Sequence, residues 1–111
     1  MVQSPCIRVT RGQSDDIIER IIAVLCTYRN DHPRAAIDLY RQNSVSVKIR
    51  IIDEAFGEMN RPERSDHVWK YLASLSEDDQ NEVGSVILLT PEETERSIAN
   101  FEFENPVLSK L

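Results

Sequence analysis

The strict alternation of apolar and polar side chains between Val45 and Ile51 is the feature that most limits how this chain can fold. Its members are, in order, Val45, Ser46, Val47, Lys48, Ile49, Arg50 and Ile51. Successive side chains of a β-strand point to opposite sides of a sheet, so the alternation predicts a strand with one dry and one solvated face. Because a dry sheet face must be covered, the other segments are expected to supply partner strands and packing helices.

The other elements follow from apolar periodicity and from helix-start signals. Apolar residues at three- and four-residue steps after Ser14 predict a first helix. Asn60 and Thr90 are each followed by a proline within two residues and by a glutamate three residues on, which is typical of a capped helix start. The continuous apolar run at residues 86–89 favours a central strand buried on both faces. Residues 34–41 and a polar turn complete an antiparallel hairpin with the alternating strand.

These elements predict an α+β fold of order α-β-β-α-β-α, in which helices pack on one face of a three-stranded mixed sheet. The helices are expected at residues 14–29, 60–75 and 90–100, and the strands at residues 34–41, 45–51 and 86–89. A single domain of residues 14–100 then lies between a flexible arm, residues 1–13, and a tail, residues 101–111. A chain of 111 residues can bury a core without a disulfide or a metal.

Charge and composition bear on the partners that the chain can have. The net charge is −6, yet residues 1–75 hold 11 basic and 10 acidic side chains, whereas residues 76–111 hold 2 and 9. Nucleic-acid binding requires a basic surface, so the overall charge disfavours it, while a local basic face in the first part keeps it possible. The lack of a long apolar run and of a signal-like N-terminus predicts a cytoplasmic protein without membrane contact.

Several motifs, in their order and spacing, resemble the BolA family, whose fold is similar to the type II KH domain. The motifs are Ile51-Ile52-Asp53-Glu54-Ala55-Phe56-Gly57, Asn60-Arg61 with Glu63-Arg64, Val68-Trp69 and Thr90-Pro91-Glu92-Glu93. The likeness spans about residues 17–98. It implies a non-enzymatic regulatory module that acts through protein contact, with a glutaredoxin-like protein as its partner.

BolA proteins also help to hold a two-iron, two-sulfur cluster, and the residues for this role are missing here. The family's ligands are a histidine near the last strand and a histidine or cysteine in the hairpin loop. This chain has neither residue type after His67 or between residues 35 and 50. Such clusters need thiolate or imidazole ligands, so we expect no cofactor and no metal-binding residues. Two further departures are Ser65 in place of the histidine of the family's Arg-His pair, and Gly57, which follows Phe56 directly.

Four basic residues form the candidate binding surface. Lys48 and Arg50 share the solvated face of the hairpin, and Arg61 and Arg64 lie at the start of the next helix. Together they are candidates for binding an anion, RNA or an acidic protein partner. The alternative is that they are solvated charges that keep an exposed sheet face from aggregating. A nucleic-acid-binding KH-like domain is the first rival function, although the chain has no Gly-x-x-Gly clamp.

The histidines and the acidic turn are interpreted as structural. His32 lies in a connection and His67 on the second helix, and the sequence identifies no catalytic partner for either. Asp53, Glu54 and Glu58 crowd one turn without the spacing of a cation-binding loop, which favours a solvated turn. No catalytic residue is predicted.

The two cysteines leave a second rival function, a small thiol or redox protein. Cys26 lies in the apolar stripe of the first helix, and Cys6 lies in the N-terminal arm. Two cysteines are too few for a disulfide framework, and neither has a neighbouring histidine base that would activate it. The interpretation of Cys26 as a small buried hydrophobic residue is therefore favoured.

Overall fold

A computed structural model describes residues 7–105 of the chain. Its strands form one mixed sheet in the order β1-β2-β3-β4, in which only the β2–β3 pair is antiparallel. The strands are β1 Ile7–Val9, β2 Ala36–Asn43, β3 Ser46–Ile52 and β4 Val83–Leu89. The helices are α1 Asp16–Asp31, α2 Arg61–Leu72, α3 Glu77–Asn81 and α4 Ile98–Glu104, with 3₁₀ turns at Glu54–Glu58 and Pro91–Glu95. The predicted α+β class is confirmed.

Helices α1 and α2 cover one face of the sheet and enclose the main core. Ile49 and Ile51 of the alternating strand are fully buried against them, as the alternation predicts. The other fully buried side chains of this core include Ile18, Ile21, Leu25, Tyr28, Ile37, Leu39, Val47, Phe56, Val68 and Leu72. Each such large apolar side chain contributes about 1.5–3 kcal/mol relative to an exposed one, so this face is the main source of stability.

The prediction of three strands is wrong, because Ile7–Val9 adds a fourth at the edge of the sheet. This segment pairs in parallel with β2, and Arg8 reaches the buried Asp38, with 2.9 Å between its Nε and the carboxylate. A strand of three residues is too short to show a period in the sequence. The connection through α1 is long enough for the chain to return and place β2 parallel to this strand. Residues 7–9 of the predicted arm therefore belong to the sheet, and residues 1–6 lie outside the described residues.

The prediction that all helices pack on one face is also wrong, because α4 covers the face opposite α1 and α2. Phe103 of α4 is 1% exposed and packs on the Tyr40 ring, with 4.7 Å between the ring centroids. The Tyr40 hydroxyl donates to the Phe103 carbonyl at 2.9 Å. Arg50, expected on a solvated face, is 5% exposed between Asp38 and Phe103. Residues 101–104, assigned to a tail, thus complete a packed helix, and residues 106–111 are not described.

The two predicted helix starts are capping boxes, but only the first begins an α-helix. The Asn60 side chain accepts from the Glu63 N–H and the Glu63 carboxylate accepts from the Asn60 N–H, at 2.9 and 2.8 Å. At Thr90 the same arrangement begins a 3₁₀ turn, and α4 starts separately with Ser97 as its cap. The break lets the chain pass from the end of β4 to the second face of the sheet.

Residues 86–89 do not form a central strand. They belong to β4, which ends the sheet, and residues 83 and 85–89 are only half-buried. An apolar run fits a central strand or a sheltered edge equally well, and the order of the strands, a tertiary property, decides between them.

Candidate functional site: a groove along the edge strand

A bulge at Gly84 sets how β4 lies against β3. Val83 pairs with Val47 and Ser85 with Lys48, so Gly84 is the extra residue. A Cβ at this position would collide with the Ser46 hydroxyl, so any larger residue here requires the Ser46 side chain to move. Bulges re-aim the residues that follow them. After this one, the side chains alternate between the α1–α2 face of the sheet and the α4 face.

The outer edge of β4 carries backbone groups that have no strand partner. The Leu89 carbonyl accepts from the Asp53 N–H at 2.9 Å and so faces β3, whereas the Leu88 carbonyl accepts from Arg64 at 3.1 Å and faces outward. Backbone groups of successive residues alternate in direction along a strand, so Val86 also faces outward. Within residues 7–105 no hydrogen-bond partner is found for the N–H and C=O of Val86 or for the N–H of Leu88.

This edge forms the floor of a groove of about 1030 Å³. One wall is the start of α2 with the turn before it, and the other wall is the segment from the second 3₁₀ turn into α4. The wall residues are Met59, Asn60, Arg61, Arg64, Ser65, Glu93, Arg96, Ser97, Ile98 and Ala99. Ile98 is 77% exposed, and Phe101 on the same helix is 66% exposed. An apolar floor with exposed apolar side chains beside it is typical of a binding groove.

Arg64 joins the two walls to the strand. Its Nε donates to the carbonyls of Phe56 and Met59, both at 3.1 Å, and its Nη1 donates to the Leu88 carbonyl. Its two terminal nitrogens bind the Glu93 carboxylate at 2.7 and 2.9 Å. This bidentate contact, helped by the backbone N–H at the capping box, lowers the pKa of Glu93 to about 2. Arg64 is therefore a structural residue of the groove rather than a free cation.

The groove is positive although the chain is acidic. Within the part of the chain that the structure describes, its lining holds three arginines, Arg61, Arg64 and Arg96, and one acid, Glu93, which gives a formal charge of +2 on a chain of net −6. Arg61 and Arg96 are exposed, and neither makes an ion pair among the residues that the structure describes. Two cations are thus available to a ligand, one on each wall.

The four predicted basic residues do not form one surface. Arg61 and Arg64 line the groove, but Arg50 lies under α4, bound to Asp38 at 2.5 Å and to Glu104 at 3.1 Å. Lys48 shares the sheet face of Arg50 and is half-buried. Arg96 was missed, because a single arginine in an acidic segment gives no signal until the fold brings it opposite Arg61.

A second cluster joins residues that are distant in the sequence. The Nε2 atoms of His32 and His67 lie 3.0 Å apart, and the Nδ1 of His32 lies 3.3 Å from the buried Asp53 carboxylate. The Tyr28 hydroxyl donates to the same carboxylate oxygen at 2.7 Å. Burial is the main cause of a lowered pKa for His67, and the charges of His32 and Lys70 add to it. The prediction of Asp53 as a solvated turn residue is wrong.

Aromatic rings enclose this pair of histidines. The Tyr28 ring stacks on His32 with 4.3 Å between centroids, and the Tyr71 ring lies edge-on to Tyr28 at 5.1 Å. Burial raises the pKa of Tyr28 well above its usual value, and hydrogen bonding to Asp53 adds to the shift. Sequence reasoning could not pair two histidines that lie 35 residues apart, because only the packing of α1 on α2 brings them together.

Of the two cysteines, the structure describes only Cys26. Cys26 is half-buried on α1, and Cys6 lies outside the described residues. Among residues 7–105, no group of three or more His, Cys, Asp or Glu side chains converges as a metal site. In the same part of the chain, no helix has both the length and the apolar character needed to cross a bilayer.

The chain matches no protein-family model, no curated protein and no solved structure.

Proposed function

We propose that this protein is a non-enzymatic interaction module that binds an extended, acidic segment of a partner protein as an added strand on β4. The proposal rests on one observation. Among residues 7–105, the outer edge of β4 has no strand partner and lies at the floor of a groove whose walls present Arg61 and Arg96 without acidic partners. Strand addition combines backbone hydrogen bonds for affinity with side-chain pockets for specificity.

The backbone supplies a small number of hydrogen bonds to the added strand. Val86 offers its N–H and C=O, and Leu88 offers its N–H, while the Leu88 carbonyl is already bound by Arg64. Each such bond contributes about 0.5–1.5 kcal/mol net, so the backbone alone gives only weak binding. The side chains of the partner must therefore supply much of the affinity and all of the selectivity.

The groove defines the kind of segment that fits. Residues 85–89 of β4, at about 3.3 Å each, span about 16 Å, which matches a partner segment of about five residues. The side chains of such a segment alternate, and some of them face the apolar wall residues Met59 and Ile98. Acidic side chains on its two faces would pair with Arg61 on one wall and with Arg96 on the other. Because each wall presents an arginine and an apolar residue, the expected ligand carries both acidic and apolar side chains on each of its two faces.

A second copy of the chain fits the same edge poorly. Pairing two β4 edges about a twofold axis would place the arginines of one groove against those of the other. Like charges in contact are unfavourable at an interface. The positive groove therefore favours an acidic segment of a partner protein over a second copy of this chain.

We propose a BolA-like relationship, which the order of elements motivates and which gives a first partner to test. From α1 to α4 the chain follows the predicted helix, strand, strand, helix, strand, helix order, with only the short α3 inserted. We propose that a glutaredoxin-like protein is one candidate partner. The iron-sulfur ligands of the family are missing, so the contact we propose needs no cluster.

The test uses a displayed library of random linear peptides, selected on the intact protein and re-measured by fluorescence polarisation. We expect enrichment of short extended sequences that combine acidic and apolar residues, with acidic residues at both odd and even positions. Val86→Pro should weaken binding about tenfold, because it removes an outward N–H that the added strand would use. It removes no bond between β4 and β3, and edge strands tolerate such a proline. Arg61→Glu and Arg96→Glu should each weaken binding about tenfold, which corresponds to 1.4 kcal/mol.

Lys70→Glu is the matched control. It makes the same charge change on α2, at a residue outside the groove, and should leave the affinity unchanged. Equal loss for Lys70→Glu and Arg61→Glu would mean a non-specific charge effect. Peptides that still bind Val86→Pro with full affinity, or a concentration-dependent dimer in place of peptide binding, would contradict strand addition by a partner. A glutaredoxin should compete with the selected peptides if it uses this groove.

A further inference from the structure

The cluster of His32 and His67 lies outside the groove, and the proposed function makes no use of it. His32 is the C-cap of α1 and His67 lies within α2, and they are the only two histidines of the chain. Their Nε2 atoms are 3.0 Å apart. The His32 side chain retains 19% exposure, so the pair can be reached from solvent.

Asp53 fixes the tautomer and the orientation of His32. Its carboxylate, 5% exposed, lies 3.3 Å from the Nδ1 of His32, which places the ring proton on Nδ1 and leaves the lone pair of Nε2 toward His67. Carboxylates hold metal-binding histidines in this way and fix both their tautomer and their orientation. The stacked Tyr28 ring holds the same imidazole from its face.

We propose that His32 and His67 are the protein ligands of a single divalent transition-metal ion of the zinc or copper class. Two imidazole nitrogens at about 2.0–2.1 Å from a tetrahedral ion lie about 3.3 Å apart, close to the observed separation of the two Nε2 atoms. Imidazole is a preferred ligand of zinc and copper, and Mg²⁺ and Ca²⁺ prefer oxygen.

Binding requires a small change at the pair. In the absence of metal, the Nε2–H of His67 donates to the Nε2 of His32. For both Nε2 atoms to bind one ion, both rings must tilt so that their lone pairs converge, and the proton of His67 must move to its Nδ1 through solvent. No net proton is released when both rings are neutral. Since the described residues supply no third ligand, water or an added donor completes the coordination.

The test titrates the untagged protein with Cu²⁺ and follows electron paramagnetic resonance, with Zn²⁺ calorimetry in parallel. We expect one ion per chain and hyperfine coupling from two imidazoles. Each of His32→Gln and His67→Gln should reduce the coupling to one imidazole and weaken Zn²⁺ binding at least tenfold. Because the chain has only these two histidines, the imidazole signal cannot come from elsewhere in it.

Cys26→Ser is the matched control and should leave binding unchanged. Coupling from fewer than two imidazoles in the wild type, or Zn²⁺ affinity that survives either histidine substitution, would overturn the proposal. The number of imidazoles coupled to Cu²⁺ in the wild-type spectrum tests the proposal even if a variant folds poorly. Mg²⁺ binding with equal affinity would also overturn it. Peptide binding in the groove should not respond to the metal, so the two proposals fail independently.

Discussion

Replacing Phe103 by alanine tests whether α4 is part of the folded structure. Phe103 is 1% exposed, whereas Phe101, two residues earlier on the same helix, is 66% exposed. The Phe103 ring contacts the Tyr40 ring at 4.7 Å and the Arg50 guanidinium at 4.6 Å. Phe101→Ala makes the same chemical change without these contacts and is the matched control.

The expected cost follows from burial. Truncation of a fully buried phenylalanine costs about 3–5 kcal/mol, which includes the lost contacts and the cavity that remains. Helix α4 is short and solvated on its outer side, so the site can partly collapse, and we expect about 3 kcal/mol, the lower end of that range. The exposed Phe101 should cost no more than about 0.5 kcal/mol on truncation.

Urea unfolding of the two variants, followed through Trp69 fluorescence, gives the free-energy differences from the midpoints at constant slope. Hydrogen exchange of the α4 amides shows whether the helix instead undocks by itself before global unfolding. Equal costs for the two variants, or a loss below about 1 kcal/mol for Phe103→Ala with α4 amides protected as in the wild type, would refute the packing argument.

Three further predictions address the groove and the core. Glu93 has a folded-state pKa of about 2, below its ordinary 4.5, so the stability from its contact with Arg64 is complete above pH 4.5 and is lost as the pH falls toward 2. The free energy of unfolding of Glu93→Gln, measured with urea, should therefore change less between pH 4.5 and about 2 than that of the wild type. Gly84→Ala should destabilise by about 1–3 kcal/mol through overpacking, and Ser46→Gly should restore part of the loss in a double-mutant cycle. Tyr28→Phe leaves a buried carboxylate without one donor and should cost about 1–3 kcal/mol by urea unfolding, and a neutral effect would contradict the buried hydrogen bond.

The local features were predictable because their causes lie within a few residues. The β3 strand follows from alternation, and the capping boxes at Asn60 and Thr90 follow from side chains that bond to a backbone three residues away. The short strand at Ile7–Val9 was not predictable, because three residues show no period. The burial of Arg50 was not predictable either, since it depends on α4 folding back from more than 40 residues downstream.

The candidate site was predictable only in part, and for the same reason. Arg61 and Arg64 were identified from their place at a helix start, but Arg96 and the two histidines were brought together by packing. Side chains far apart in sequence come into contact only when the helices pack on the sheet, so no local sequence pattern predicts the contact.

The sequence by itself determined the α+β class, the alternating strand and the apolar run of β4, because periodicity and capping act over single turns and neighbouring residues. Only the tertiary structure decided that β4 lies at the edge of the sheet, that α4 covers the second face and that Arg61 faces Arg96 across a groove. These facts depend on the order of strands and on contacts between distant segments. The alternation between Val45 and Ile51 therefore specifies a strand, while the neighbours of that strand determine which of its faces is buried and where a partner can bind.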